Sequence, residues 1–304
     1  MAHIVLIGEG MIELSRTSAD HAAWRLGHGG DTLNMAIHLA RFGERTGFLT
    51  AIGDDPFSER LRDGWTAEGL DPALILTDPG AHAGLYAIST DDLGERSFTY
   101  WRKDSAAARL FAAPRIDAAL RVAESADLLG FSLISLAILP PAGRDALLAL
   151  AARMRATGRQ VAFDGNYRPR LWPDPAEARL VRDRAIACCT IGLPTLEDET
   201  LIGDGGDAAT IAARWRAGGA AEVVVKLGAD GCLVDDNVHV PPPARLAPRD
   251  TSGAGDAFNA GYLHARLAGR APQAAALCGH ALAGWVVMRP GAVPARDDAA
   301  PYAA

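Results

Sequence analysis

Six short apolar runs alternate with longer segments of helical period along most of the chain. The runs are HIVLIG (3–8), RTGFLTAIG (45–53), ADLLGFS (126–132), QVAFD (160–164), CCTIGL (188–193) and EVVVKLG (222–228). Between them lie Ala-, Leu- and Arg-rich stretches over 32–42, 57–68, 140–157, 175–187, 206–217 and 256–268. Several stop at a glycine: Gly43, Gly69, Gly158, Gly218 and Gly269, as helices commonly do. Uninterrupted apolar strands separated by helices need cover on both faces, which is the signature of a parallel sheet between two helical layers. The pattern therefore predicts an α/β fold with three layers, α/β/α, and a mostly parallel central sheet. Ligands of such sheets bind beyond the carboxyl ends of the strands. A chain of 304 residues, 49% hydrophobic and 22% charged, can bury a core of that size.

One region departs from the alternation. GLYAISTDDLGERSFTYWR (84–102) reads as two strands around the turn Asp91-Asp92-Leu93-Gly94. Its second half alternates: Arg96, Phe98, Tyr100 and Arg102 on one face, Ser97, Thr99 and Trp101 on the other. Strand-like pieces recur from Met11 to Leu14 and around Trp24 and Leu26. Segments of about 10–30 and 82–104 are thus expected to build a small β-sheet lid on a single domain spanning 1–304. The tail after Pro294, ARDDAAPYAA, reads as frayed.

Charge and spacing remove several classes of function. A net charge of −7 disfavours nucleic-acid and anionic-membrane partners, which need a basic face. Cys188, Cys189, Cys232 and Cys278 form no CxxC pair and read as free thiols of a reducing compartment. The eight histidines show no zinc spacing. No run of 18 apolar residues occurs, and MAHIVLIGEGMIEL lacks the marks of a signal peptide, so a cytoplasmic location is expected. GEGMIE (8–13) nearly matches a dinucleotide fingerprint, but Glu13 stands where the third glycine belongs. A GxxxxGK[ST] phosphate loop is absent.

Five motifs at strand ends or helix starts carry the chemistry. In HGGDTLNMAIHLARFG (28–43) a glycine pair leads into a helix, with Asp31 or Thr32 as its cap. Asp31 and Asn34 project from one side of its first turn, and Gly29 and Gly30 let a ligand approach the backbone. Two polar forks beside bare backbone suit sugar hydroxyls. DGNYRPRLW (164–172) puts Asp164, Asn166 and Arg168 at a strand's carboxyl edge, with Pro169 holding Arg168 extended as an anion clamp. GLPTLEDET (192–200) presents Thr195, Asp198 and Glu199, either as caps or as water-mediated support of magnesium. VVVKLGADG (223–231) is either a plain hairpin or a nucleotide loop.

The most specific signal is DTSGAGDAFNAGYL (250–263). Gly253, Ala254 and Gly255 are small enough to leave backbone N–H groups exposed at a helix start, an anion site aided by the helix dipole. An acid beside an anion would repel it unless the acid had work to do. Asp256 fits a general base, one whose pKa the helix terminus is expected to lower.

Two of these motifs, HGGDTLNMAIHLARFG and DTSGAGDAFNAGYL, resemble the N- and C-terminal signatures of ribokinase-like (pfkB) sugar kinases, and the likeness covers nearly the whole chain. GEGMIELS, TYWR and DGNYRPRLW further resemble the subgroup acting on 2-keto-3-deoxygluconate. The resemblance implies ATP and Mg2+ as cofactors, with K+ as an additional candidate ion, and a homo-oligomer paired through its lids. It makes Asp256 the catalytic base and Gly253, Ala254 and Gly255 the anion hole. It assigns Gly30, Asp31, Asn34, Tyr86, Tyr100, Arg102, Arg168 and Asp250 to the substrate. Thr195, Lys226, Gly228, Gly231 and His280 fall to the nucleotide, and Asp198 and Glu199 to the metal. Thr195 replaces the family's usual Asn or Ser. The chemistry agrees with a sugar acid, because two guanidiniums suit a carboxylate and a neutral sugar leaves both unused. The alternatives are a fructokinase or a 5-keto-2-deoxygluconate kinase of the same family, a non-catalytic sugar-binding protein on the same fold, and, weakest, a dinucleotide oxidoreductase.

Overall fold

In the computed structural model, residues 1–16, 23–90, 96–235 and 237–302 are described. The first strand, β1 (His3–Ile7), organises the rest. Val5 and Ile7 enter one hydrophobic core while Ile4 and Leu6 enter another on the opposite face. Further strands of the same sheet are β4 (Arg45–Ile52), β5 (Ile75–Thr77), β8 (Leu128–Ser132), β9 (Gln160–Asp164), β10 (Ile191–Gly192) and β11 (Glu222–Val223). Their order is β11-β10-β9-β8-β1-β4-β5, and every neighbouring pair is parallel. The chain runs outward from β1 on one side, then crosses over to β8 and runs outward on the other. That reversal between β1 and β8 opens a crevice at the carboxyl ends, where ligands of such sheets bind.

Helices cover both faces. One layer holds α1 (Asp31–Arg41), α2 (Pro56–Ala67), α9 (Ala254–Leu267) and α10 (Pro272–Val287). The other holds α3 (Ile116–Ser125), α4 (Leu133–Ile138), α5 (Pro141–Ala156), α6 (Pro175–Cys188), α7 (Leu196–Leu201) and α8 (Ala208–Gly218). The three-layer expectation holds. The expected CCTIGL strand is mostly not a strand: α6 runs on through Cys188, leaving only two residues paired in β10.

Two small sheets stand beside the central one. Strands β2 (Met11–Arg16), β3 (Trp24–Gly29), β6 (Gly84–Thr90) and β7 (Arg96–Trp101) pair in the order β3-β2-β6-β7. Tyr86 sits opposite Tyr100 in this register and stacks on it, with ring centroids 5.8 Å apart. The turn expected at 91–94 and the side chain of Arg96 lie outside the described residues. A three-stranded sheet joins β12 (Val225–Lys226), β13 (Cys232–Val234) and β14 (Val238–Val240).

The expected fraying of the tail is corrected. Arg41 donates to the Pro294 carbonyl at 2.7 Å, Trp285 to Asp297 at 3.0 Å, and Tyr302 Oη meets His38 Nδ1 at 2.7 Å. A tail rich in Ala and Asp carries no apolar periodicity, so nothing local announces this docking.

Candidate active site

Helices α1 and α9 meet at their N-termini, and their polar residues meet with them. Asn34, in the first turn of α1, donates from Nδ2 to Asp256 Oδ2 at 2.8 Å. The Asn34 Oδ1 atom is buried with no protein partner, so it is left for a ligand's donor. Gly30 is the N-cap of α1, which moves the expected cap one residue back from Asp31. A Cβ at Gly30 would lie 2.1 Å from the Glu9 carbonyl oxygen, so only glycine fits there. Asp31 accepts from Asn166 Nδ2 at 3.0 Å, tying α1 to the loop after β9.

The helix after the loop expected to hold an anion begins two residues earlier than the sequence pattern places it. Gly253 is the N-cap of α9, with φ +69°, and the helix starts at Ala254 rather than Asp256. A Cβ at Gly253 would meet Ala292 Cβ at 2.5 Å, so close packing and dihedral both demand glycine. The Ala254 amide donates to the Thr251 carbonyl at 3.3 Å, and the Ala257 amide to Gly253 at 2.8 Å. Between them the amides of Gly255 and Asp256 are the unpaired donors of a helix start. Asp256 is thus an end-of-loop donor through its backbone as well as a carboxylate.

Behind this loop lies a polar network the sequence did not reveal. Lys226 Nζ donates to Asp164 Oδ1 at 2.9 Å and Asn259 Oδ1 at 3.2 Å, and Asn259 Nδ2 returns to Asp164 Oδ2 at 2.8 Å. A Cβ at Gly255 would lie 3.9 Å from Lys226 Nζ, which puts the ammonium beside the anion loop. Asn259 is one helical turn beyond Asp256; that spacing was the available signal for it.

Burial dominates the electrostatics. It pushes the Asp256 carboxyl up to about 8, and the charges of Asp31 and Asp164 add to it against Asn34 and Lys226. The expectation of a lowered pKa is corrected: the dipole of one helix is weaker than burial combined with two neighbouring carboxylates. Asp198 is pushed up to about 6, again chiefly by burial, with the Arg168 guanidinium opposing. Arg168 Nη1 lies 3.3 Å from Asp198 Oδ1, and its side chain is 53% exposed at the crevice mouth.

The small sheet turns one face to this crevice. Tyr86 Oη donates to Glu13, and burial with the adjacent Glu13 charge raises the phenol's pKa. Arg102 lies 5.9 Å from the Tyr100 ring centroid, its side chain 11% exposed. It is not a free cation, because it forms an ion pair with Glu9.

Such a constellation has relatives. Residues 1–299 match the model of the pfkB family of carbohydrate kinases. The chain belongs to that family. It is 40% identical to 2-dehydro-3-deoxygluconokinase of Escherichia coli K12 over 304 residues, 97% of each chain. Identity to the enzyme of the same name from Dickeya dadantii is 40% over 301 residues, 96% of each chain. A putative ribokinase II from E. coli, solved with ATP and Mg2+, shares the fold at a TM-score of 0.83 and 21% identity, over 96% of this chain and 95% of that one.

Several residues assigned through the pfkB resemblance have protein partners in the structure. Glu199 is buried and accepts from Arg182 at 2.9 Å and Arg214 at 2.8 Å. Asp250 accepts from the amides of Ser252 at 3.0 Å and Gly291 at 2.8 Å, bracing the loop before α9. His280 Nε2 faces the Val240 carbonyl at 3.0 Å and its ring packs on Phe258, with burial lowering its pKa; it joins α10 to β14. Lys226 joins the Asp164 network. Gly228 and Gly231 do flank the turn after β12, both at positive φ, and Thr195 bridges to Lys226 in parallel pairing.

Proposed function

We propose that this protein transfers the γ-phosphoryl group of ATP to the terminal hydroxyl of 2-dehydro-3-deoxygluconate, giving the 6-phosphate and ADP. The observation that carries the reaction is the contact of Asn34 with Asp256, which joins a hydroxyl-binding helix to a general base beside free helix-start amides. The substrate follows from the 40% identity to enzymes of that name over nearly their full length.

Asp256 accepts the hydroxyl proton as the oxygen attacks the γ-phosphorus in line and the bond to the β-phosphate oxygen breaks. A carboxyl held near pH 8 is a stronger base than an ordinary aspartate. The amides of Gly255 and Asp256 and the Lys226 ammonium lie where charge builds on the transferred group. For magnesium, Asp198 is a hard oxygen donor that pairs with Arg168 at 3.3 Å. A single protein carboxylate suits an ion held mostly by phosphates and water. When bound, it neutralises phosphate charge. The small sheet serves as a lid that excludes water and presents Tyr86, Tyr100 and Arg102 to the sugar acid, with Arg168 opposite.

The outer face of that lid supports pairing of two copies. Ile12, Leu14, Phe57, Leu85 and Trp101 line an apolar cavity of about 440 Å³, and Phe57 and Trp101 are exposed. No described helix is long and apolar enough to cross a membrane, and a cytoplasmic enzyme fits the free thiols.

A coupled assay with 2-dehydro-3-deoxygluconate, its galactonate epimer, fructose and ribose decides the substrate. Highest kcat/KM on a 2-keto-3-deoxy acid is expected; a preference for fructose would make the protein a fructokinase.

A further inference from the structure

A buried ion pair joins the central sheet to the small sheet, and the proposed reaction gives its carboxylate no role. Glu9 lies two residues beyond β1 and is 2% exposed. It accepts from Ser105 Oγ at 2.5 Å and pairs with the Arg102 guanidinium, one residue past β7. The surroundings leave room for it: a Cβ at Gly84 would come within 2.5 Å of Glu9 Oε1. Gly84 opens β6 and Gly30, against the Glu9 carbonyl, caps α1. The carboxylate therefore sits where the central sheet, the substrate helix and both arms of the small sheet converge. Burial raises its pKa, Asp31 adds to that, and Arg102 and Ser105 oppose it. Arg102 is the chief influence favouring its charged form.

Arg102 is the residue assigned above to the sugar acid's carboxylate, and the present inference rests on that assignment. Left alone in an empty site, a buried guanidinium would be strongly destabilising, and Glu9 removes that cost. The same charge opposes an incoming carboxylate. Like charges a few ångströms apart in a partly screened interior weaken binding by on the order of tenfold or more.

We propose that Glu9 is a resident competitor for the substrate's carboxylate: it holds Arg102 while the site is empty and yields it when a sugar acid binds. The arrangement trades affinity for a stable empty enzyme. It places the two effects of removing Glu9 in opposite directions, which a purely structural ion pair would not do.

The test uses Glu9→Gln, which keeps the side chain's shape and a hydrogen-bonding oxygen but not the charge. The expected result is a KM for 2-dehydro-3-deoxygluconate lower by about tenfold, an unchanged KM for ATP, and a lower melting temperature without ligand. Should that variant not fold, Glu9→Asp, one methylene shorter, loosens the pair and shifts KM the same way by a smaller factor. Arg102→Ala is measured alongside and is expected to raise KM for the acid by about tenfold or more. An unchanged or raised KM in the Glu9 variants, beside a raised KM in Arg102→Ala, overturns the competitor and leaves Arg102 in its role. An unchanged KM in Arg102→Ala overturns the assignment of Arg102, and the competitor with it.

Discussion

Asp256 carries two opposed demands in one side chain. As a base it must give up its proton, yet burial and the charges of Asp31 and Asp164 hold its pKa at about 8. Turnover that depends on the ionised form should rise with pH up to about 8 and level off above it. A kcat/KM profile that is flat from pH 6 to 9 would remove Asp256 as the base. The same shift governs stability. Relative to the ordinary value of 3.8, a raised carboxyl favours the fold while protonated, and that contribution is lost as pH climbs to about 8. Asp256→Asn keeps an oxygen for Asn34 and cannot ionise. It should therefore lower kcat by several orders of magnitude, retain ATP binding, and melt several degrees above wild type at pH 8. Near-normal turnover, or a lower melting temperature, would contradict this account.

At the scale of elements, the junction of α9 with the segment after α10 decides whether the anion loop keeps its shape. Gly253 packs on Ala292, Asp250 accepts from the Gly291 amide, and His38 of α1 reaches the Ala292 carbonyl at 3.0 Å. The segment just after α10 thus touches α1 and the N-cap of α9. Gly253→Ala forces a left-handed residue and a steric clash together, at a cost of about 1–2 kcal/mol for the dihedral alone. A lower melting temperature and a raised KM for ATP are expected, read by thermal shift and by initial rates. An alanine variant with wild-type ATP kinetics would show that the loop tolerates another register.

For the whole molecule, the outer face of the small sheet is an apolar feature that the fold leaves open. Trp101 is 55% exposed beside a cavity that Ile12, Leu14 and Leu85 line. A dimer through this face would back both lids with protein. Sedimentation should give twice the monomer mass, and Trp101→Asp should shift the protein toward monomer with a higher KM for the sugar acid. A wild-type monomer at micromolar concentration would rule the pairing out.

The sequence by itself determined the layers, because burial on both faces leaves continuous apolar runs such as HIVLI, and helix periodicity is local. It also determined the anion loop, since only small residues expose backbone amides at a helix start, and it set Asn34 and Asp31 on one helical turn. Tertiary structure alone decided which charges remain available. Asn34 and Asp256 are 222 residues apart, Asp164 and Lys226 are 62 apart, and Glu9 and Ser105 are 96 apart. No periodicity links such positions. Glu9 stands against Arg102, and Arg182 and Arg214 enclose Glu199, pairings that no local pattern announces. A side chain's chemistry is written in the sequence, but its partner, its burial and hence its pKa arise only when the chain closes on itself.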